Sequence, residues 1–140
     1  MTQLRVPVSY GELIDKISIL EIKAQRIGDA VKLANVEKEL RVLLETWQAD
    51  AASRGPSIED LWNALRAVNS QLWDIEDRIR VKESHALFDA EFIELARAVY
   101  VINDDRARLK KEMNLRLGSD LVEEKSYADY SRVGLAQRSK

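Results

Sequence analysis

The chain has 140 residues, a formal net charge of −2 and no cysteine. This length suits one domain, and the missing cysteine excludes disulfides, thiolate nucleophiles and Cys-bound zinc. Acidic and basic residues are mixed without a basic stripe, which argues against a nucleic-acid partner. Only five Gly and two Pro occur, so turns are scarce and long helices are expected.

The sequence predicts no membrane-spanning segment and no secretory leader. No apolar run approaches the roughly 20 residues that cross a bilayer. The first ten residues lack the apolar stretch of a signal peptide. We therefore expect a cytoplasmic protein without a membrane partner.

The residue pattern in the first half of the chain predicts two helices and a loop. Ser9 and Glu12 have the spacing of a capping box, which predicts a helix that starts after Ser9. This helix should end at Gly28 in a left-handed cap. A second helix, over residues 30–50, carries one apolar stripe, and residues 51–56 form the clearest loop.

The second half predicts two longer helices. Ser57 is expected to cap a third helix over residues 58–83. Asp89 should cap a fourth helix over residues 90–117, with Gly118 as its stop. At about 1.5 Å per residue these two helices would extend about 40 Å and project beyond the first pair.

Four helices joined by short connections predict an all-α fold, an antiparallel four-helix bundle of two helical hairpins. Residues 119–130 are expected to dock on the bundle as a short C-terminal segment. The single domain would then cover residues 1–130, with residues 131–140 as a disordered tail. The projecting pair, together with Ile19 and Ile22 outside the main stripe, favours a homodimer.

Six polar side chains fall on the apolar arcs when each helix is projected at about 100° per residue. They are Glu21 on the first helix, Asn69 and Glu76 on the third, and Asn103, Arg106 and Lys110 on the fourth. Because an unpaired buried charge is costly, we expect Glu76 to pair with Arg106. Glu21 would join this pair, and the two asparagines would bridge it.

Three interpretations of these residues stay open. They form a structural polar layer that fixes helix register, they line a pocket for a small anionic ligand between the helices, or they reach the surface.

Several kinds of catalytic site are excluded or weakly indicated. His85 is the single histidine and lies in a predicted loop, which excludes di-iron and Ser/His/Asp sites, and we predict no metal and no cofactor. Two acidic groups could still hold Mg²⁺, as in all-α nucleotide pyrophosphatases. These groups are Glu12 with Asp15, and Asp74 with Glu76 and Asp77.

A short stretch, residues 13–20, looks like the first helix of the helical chorismate mutases. In that comparison Glu76, Arg106 and Lys110 have the charge types that such a site uses for a dicarboxylate.

A second resemblance spans residues 6–127. Its motifs are VPVSYGELIDKISILEIK (6–23), LWDIEDRIR (72–80), Phe88-Asp89, NDDR (103–106) and GSDLVEEKSY (118–127). These motifs resemble a bacterial family known only as a domain of unknown function. The resemblance implies no activity and no catalytic residues. It does include residues 119–127, which favours a docked segment over a loose tail.

The leading hypothesis is a non-enzymatic helical protein that binds a protein partner or a small ligand, as a homodimer. The alternative is a small enzyme or anionic-metabolite binder that uses Glu21, Glu76, Asn103, Arg106 and Lys110.

Overall fold

Helices account for most of residues 2–130, the part of the chain that this computed structural model describes. Within it the chain forms α1 (Tyr10–Arg26), α2 (Ala30–Ala49), a 3-10 turn (Ala51–Arg54), α3 (Glu59–Ser84) and α4 (Ala90–Leu117). The predicted all-α architecture is confirmed. The predicted disordered tail, residues 131–140, lies outside the described residues.

Three of the predicted helix ends have the expected caps. The Ser9 hydroxyl accepts the amide hydrogen of Glu12 over 3.2 Å at the start of α1. The Asp89 carboxylate accepts the amide hydrogen of Phe92 over 2.9 Å at the start of α4. Gly118, with φ of +67°, ends α4 in the left-handed conformation that suits glycine.

Two other predicted caps are wrong. Gly28 is not left-handed. α1 ends in extended backbone at Ile27, and Asp29, two residues later, already caps α2. Ile58, not Ser57, precedes the first turn of α3. The Ser57 hydroxyl instead accepts the amide hydrogen of Glu59 over 3.4 Å, which forms a local turn.

α1 is the central helix, since it contacts α2, α3 and α4. Two contacts show that α3 and α4 are antiparallel. Asp60, at the start of α3, pairs with Arg116 near the end of α4 over 2.6 Å, and Lys82 near the end of α3 pairs with Asp89 over 2.8 Å. The ring of Tyr10 at the start of α1 packs on Trp47 at the end of α2, so the two helical hairpins are confirmed.

The apolar core surrounds α1. Its buried members are Leu13, Ile14, Ile17, Ile58, Leu61, Leu65, Leu109 and Met113. α2 covers this core with half-buried side chains only, among them Leu40, Leu43 and Leu44. Ile22 is 2% exposed, which corrects its prediction as a spare apolar residue for a dimer. It is buried because α1 has neighbours on several sides.

The α3–α4 hairpin extends beyond α1. Arg26, the last residue of α1, pairs with Asp74 over 2.6 Å, whereas α3 continues to Ser84. The extended part carries exposed apolar side chains, which are Val81, Leu87, Phe88 and Ile93. No helix within residues 2–130 is long and apolar enough to cross a bilayer.

The segment after Gly118 lies against α4, as predicted. The Tyr130 hydroxyl donates a hydrogen bond to Asp104, and the Tyr130 ring lies 5.0 Å from that of Tyr100, edge to face. Glu123, between Gly118 and Tyr130, pairs with Lys110 over 3.1 Å.

Candidate functional site

The polar centre of the bundle is built around Asp15, a buried carboxylate on α1 with no measurable exposure. Its Oδ1 accepts hydrogen bonds from Asn69 Nδ2 and from Arg106 Nε, both over 2.9 Å. Its Oδ2 accepts a further hydrogen bond from Arg106 Nη2. Ser18, one turn along α1, accepts from the same Asn69 amide over 2.8 Å. Side chains from α1, α3 and α4 therefore meet at one carboxylate.

A glycine one turn earlier allows α1 to approach α4 closely. A Cβ atom on Gly11 would lie 3.0 Å from the carbonyl carbon of Lys110 and closer still to its oxygen. The Gly11 amide donates to Asn114 Oδ1 over 2.7 Å. This contact between helices is what brings Asp15 within reach of Arg106.

Lys110 supplies a second cation at the edge of this centre. Its Nζ lies 3.7 Å from Asp15 Oδ2, 2.7 Å from Glu12 Oε2 and 3.1 Å from Glu123 Oε2. Glu12 thus binds Lys110 instead of completing the predicted capping box. Through Glu123, the C-terminal segment is also connected to the polar centre.

The three buried or half-buried charges of the centre keep their charged forms at neutral pH. Burial acts to raise the pKa of Asp15, but hydrogen bonds and charges from Arg106 and Lys110, with the Asn69 amide, together lower it. Burial acts to lower the pKa of Lys110, but Glu12, Asp15 and Glu123 together raise it. Its hydrogen bonds to Asp15 raise the pKa of Arg106.

The predicted pair between Glu76 and Arg106 is wrong. Glu76 lies two helical turns beyond Asn69 on α3, whereas Arg106 is level with Asn69, since both bind Asp15 Oδ1. Glu76 instead pairs with Arg80 on its own helix over 3.2 Å, at the half-exposed surface.

Glu21 also lies away from the polar centre that it was predicted to join. Its carboxylate accepts hydrogen bonds from Arg66 and from the indole of Trp62, each over 2.9 Å. Because Glu21 lies about 120° away from Asp15 around α1, it points to a different part of α3.

An open groove of about 400 Å³ lies beside the centre, between α1, α3 and α4. Four of the six predicted polar residues line it, which are Asn69, Glu76, Asn103 and Arg106. The remaining lining residues are Ile19, Ile22, Leu72, Trp73 and Asp77. The groove thus combines an apolar wall with polar groups on its floor and rim, an arrangement typical of small-molecule sites.

A larger cleft of about 460 Å³ lies at the α2–α3 connection, beside Trp47 and Trp62. Its cations are already engaged within the chain. Arg66 pairs with Glu21 over 2.9 Å, and Arg54 donates to the carbonyl oxygen of Gln48 over 3.2 Å. Arg106 of the groove is engaged in the same way, by Asp15. The groove beside Asp15 is the better candidate, although it is the smaller of the two, because four of the six predicted polar residues line it.

Sequence reasoning considered Asp15 only as a possible Mg²⁺ ligand and missed Gly11, Ser18 and Asn114. The available signal was a second stripe on α1 formed by Gly11, Asp15, Ser18 and Ile22, with steps of four, three and four residues. Two small residues around a carboxylate at that spacing indicate a close helix–helix contact with a polar centre.

Four of the five carboxylates considered for Mg²⁺ bind cations of the protein instead, among them Glu76, which pairs with Arg80. Asp15 binds Arg106, Glu12 binds Lys110, and Asp74 binds Arg26. Asp77 has no such partner among the described side chains. Within residues 2–130, no three His, Cys, Asp or Glu side chains come together as a metal site would need.

Comparison of the chain with curated proteins and with solved structures finds no significant match. A family model does match, over residues 4–134. This range includes α1, the buried Asp15, the groove and the C-terminal segment. The chain belongs to DUF6165, a family of unknown function.

Proposed function

We propose that the protein is a non-enzymatic binding protein, and that its ligand occupies the groove between α1, α3 and α4. The observation that carries this proposal is the way Asp15 fixes two groove residues. Arg106 is held through Nε and Nη2, and Asn69 through Nδ2. Their remaining hydrogen-bonding groups are therefore oriented before a ligand arrives, which lowers the entropy cost of binding.

Ionisation at the centre supports binding over acid–base catalysis. A general acid or base works best with a pKa near the working pH. The pKa of Asp15 is lowered, and the pKa values of Lys110 and Arg106 are raised. All three shifts lead away from neutrality, so these groups stabilise charge rather than exchange protons.

A thermal-shift screen of small metabolites tests this proposal, with two matched variants. Asn103 accepts from Arg106 Nη1 over 3.4 Å in the groove. Asn63 accepts from Arg66 Nη1 over 3.3 Å and lines the cleft at the α2–α3 connection. We expect Asn103→Ala to weaken the stabilisation by a hit, and Asn63→Ala to leave it unchanged. Hits that depend on Asn63 alone, or a screen without hits, would contradict the groove as the binding site.

The proposal includes a homodimer formed by the projecting α3–α4 hairpin. Exposed apolar side chains cluster on this part, including Val81, Phe88 and Ile93, and such patches commonly mark interaction surfaces. A cytoplasmic location in a bacterium is also proposed, and the absence of cysteine is compatible with a reducing compartment.

A further inference from the structure

The floor of the groove presents a hydrogen-bond acceptor that the protein leaves unused. Asn69 is only 5% exposed, and its amide nitrogen donates to Asp15 and to Ser18. This fixes the amide orientation, because an ionised carboxylate can only accept. Asn69 Oδ1 accepts nothing from any described residue.

That oxygen also reaches open space. Within residues 2–130 no side-chain oxygen or nitrogen is both fully buried and unpaired. Because Asn69 Oδ1 is unpaired, it is not fully buried, and the groove that Asn69 lines is the open space beside it. An accessible amide oxygen without a protein partner, on a side chain that is otherwise buried, favours a ligand that brings a hydrogen-bond donor.

The charges around the groove favour the same kind of ligand. Arg106 is the cation on its lining, and the bidentate contact with Asp15 compensates its charge. The groove is also lined by two carboxylates, Glu76 and Asp77. Glu76 pairs with the exposed Arg80. Asp77 is exposed and has no cation partner among the described side chains. The uncompensated charge of the groove is therefore negative.

The remaining wall suits an apolar body. Ile19, Ile22 and Leu72 contribute aliphatic surface, and Trp73 adds an aromatic ring. Arg26 already lies over this ring, 5.7 Å from its centroid, so the indole is in an environment that tolerates a neighbouring cation.

We propose that the groove binds an organic cation, a primary ammonium group carried on a compact apolar body. This inference rests on the proposed function and specifies its ligand class. The ammonium group has three N–H donors, one of which suits Asn69 Oδ1. The carboxylates of Glu76 and Asp77, about two helical turns further along α3, attract its charge across the groove. The apolar body lies along the half-buried side chains of Ile19 and Trp73. An anionic ligand, by contrast, would meet two carboxylates and an already compensated arginine.

Three probes with the same 3-methylbutyl body test the charge preference, namely 3-methylbutylamine, 4-methylpentanoate and 4-methylpentanamide. Binding to the full chain is measured by ligand-observed NMR at low salt, up to roughly 10 mM probe, since fragments of this size bind weakly. We expect the amine to bind with a dissociation constant about tenfold lower than that of the carboxylate, with the neutral amide between them.

Matched charge reversals locate the amine. Asp77→Lys should weaken amine binding about tenfold through the loss of one attraction and the gain of one repulsion. Asp105→Lys makes the same change at a position on α4 that is exposed and outside the groove, and it should leave the affinity unchanged. Both residues are exposed, so both variants should fold.

Two results would overturn the inference in different ways. Carboxylate binding as tight as that of the amine, and weakened by Asn103→Ala, would refute the cationic ligand and leave the groove as a binding site. Equal effects of Asp77→Lys and Asp105→Lys, or no binding by any probe, would refute this ligand at this site. The metabolite screen with the two asparagine variants then decides whether the groove binds anything.

Discussion

Arg106 on α4 donates through Nε to Asp15 on α1 over 2.9 Å, although 91 positions separate the two residues in the chain. A second hydrogen bond, from Nη2 to the other carboxylate oxygen, makes the contact bidentate. Such paired contacts fix geometry as well as charge. This pair sets the position of the arginine beside the groove.

Removing Asp15 should be far more costly than removing Glu76. Asp15→Ala leaves Arg106 half-buried without its partner, which we expect to lower the free energy of unfolding by about 3–5 kcal/mol. Glu76→Ala removes a half-exposed pair with Arg80 and should cost less than about 1 kcal/mol. Urea unfolding of both variants measures the difference, and similar costs would show that the Asp15 centre is not energetically special.

Acid should destabilise the protein through Asp15. Its pKa in the folded state lies below the ordinary value of 3.8, so folding favours the deprotonated form. The resulting stability is complete above the unfolded value and is lost as the pH falls through the lower folded value. Glu123, whose pKa is lowered by its hydrogen bond to Lys110, contributes in the same direction.

The measurement is the free energy of unfolding as a function of pH, from neutrality to about pH 2. Asp15→Asn keeps the shape and removes the titration, so its curve should fall less steeply below pH 3.8, the ordinary value for the carboxyl group. Parallel curves for the two proteins would contradict the assignment.

Of two glycine-to-alanine substitutions, only the one at Gly11 should destabilise the fold. Gly11→Ala places a methyl group against the Lys110 backbone, and separating α1 from α4 should cost about 1–3 kcal/mol. A Cβ atom added to Gly28 would meet nothing within 4 Å, and Gly28 is not left-handed. Gly28→Ala should therefore be neutral or stabilise the fold by up to about 1 kcal/mol. Thermal unfolding compares them, and a harmless Gly11→Ala would refute the close approach.

The C-terminal segment can be tested with adjacent glutamates. Glu123 pairs over 3.1 Å with Lys110, whose side chain is 10% exposed. Glu124 pairs over 3.9 Å with Lys111, and both of these side chains are well exposed. We expect Glu123→Gln to cost about 0.5–1.5 kcal/mol and Glu124→Gln almost nothing. If chemical denaturation gives equal costs, the segment does not depend on the contact with Lys110.

The proposed dimer predicts where a charge would break it. Val81→Asp and Ile93→Asp place carboxylates on the projecting hairpin and should convert a dimer into a monomer in light scattering. Val31→Asp, at an exposed apolar position on α2, is the matched control and should leave the mass unchanged. A wild-type protein that is strictly monomeric at high concentration would refute the dimer.

Helix caps, apolar periodicity and short connections in the sequence predicted the helical bundle. The bounds of α4 follow from Asp89 and Gly118, because a capping side chain and a left-handed glycine act within one turn of the helix. Gly28 misled the same reasoning, since α1 already ends in extended backbone at Ile27 and Gly28 leads directly to Asp29, the cap of α2. The bundle itself follows from helix number and connection length.

The polar centre was harder to predict because it depends on helix rotation. Projection of a single stripe on α1 selected Glu21, but a helix with neighbours on several sides buries a second stripe as well. Asp15 lies on that second stripe. Asn69 is buried and Arg106 is half-buried. Their shared partner depends on how α1 is rotated and shifted against α3 and α4, which intrahelical patterns do not determine.

The distances along the chain between Asp15 and its partners bear on how the protein forms during translation. Asn69 and Arg106 follow it by 54 and 91 residues. When only α1 and α2 have left the ribosome, Asp15 is present but Arg106 has not yet been made. The face of α1 that carries Asp15 cannot be buried at low cost without that cation. Burial of that face before α4 emerges would leave the carboxylate without its cation, so we expect the polar centre to be completed late in synthesis, although its central helix is made first.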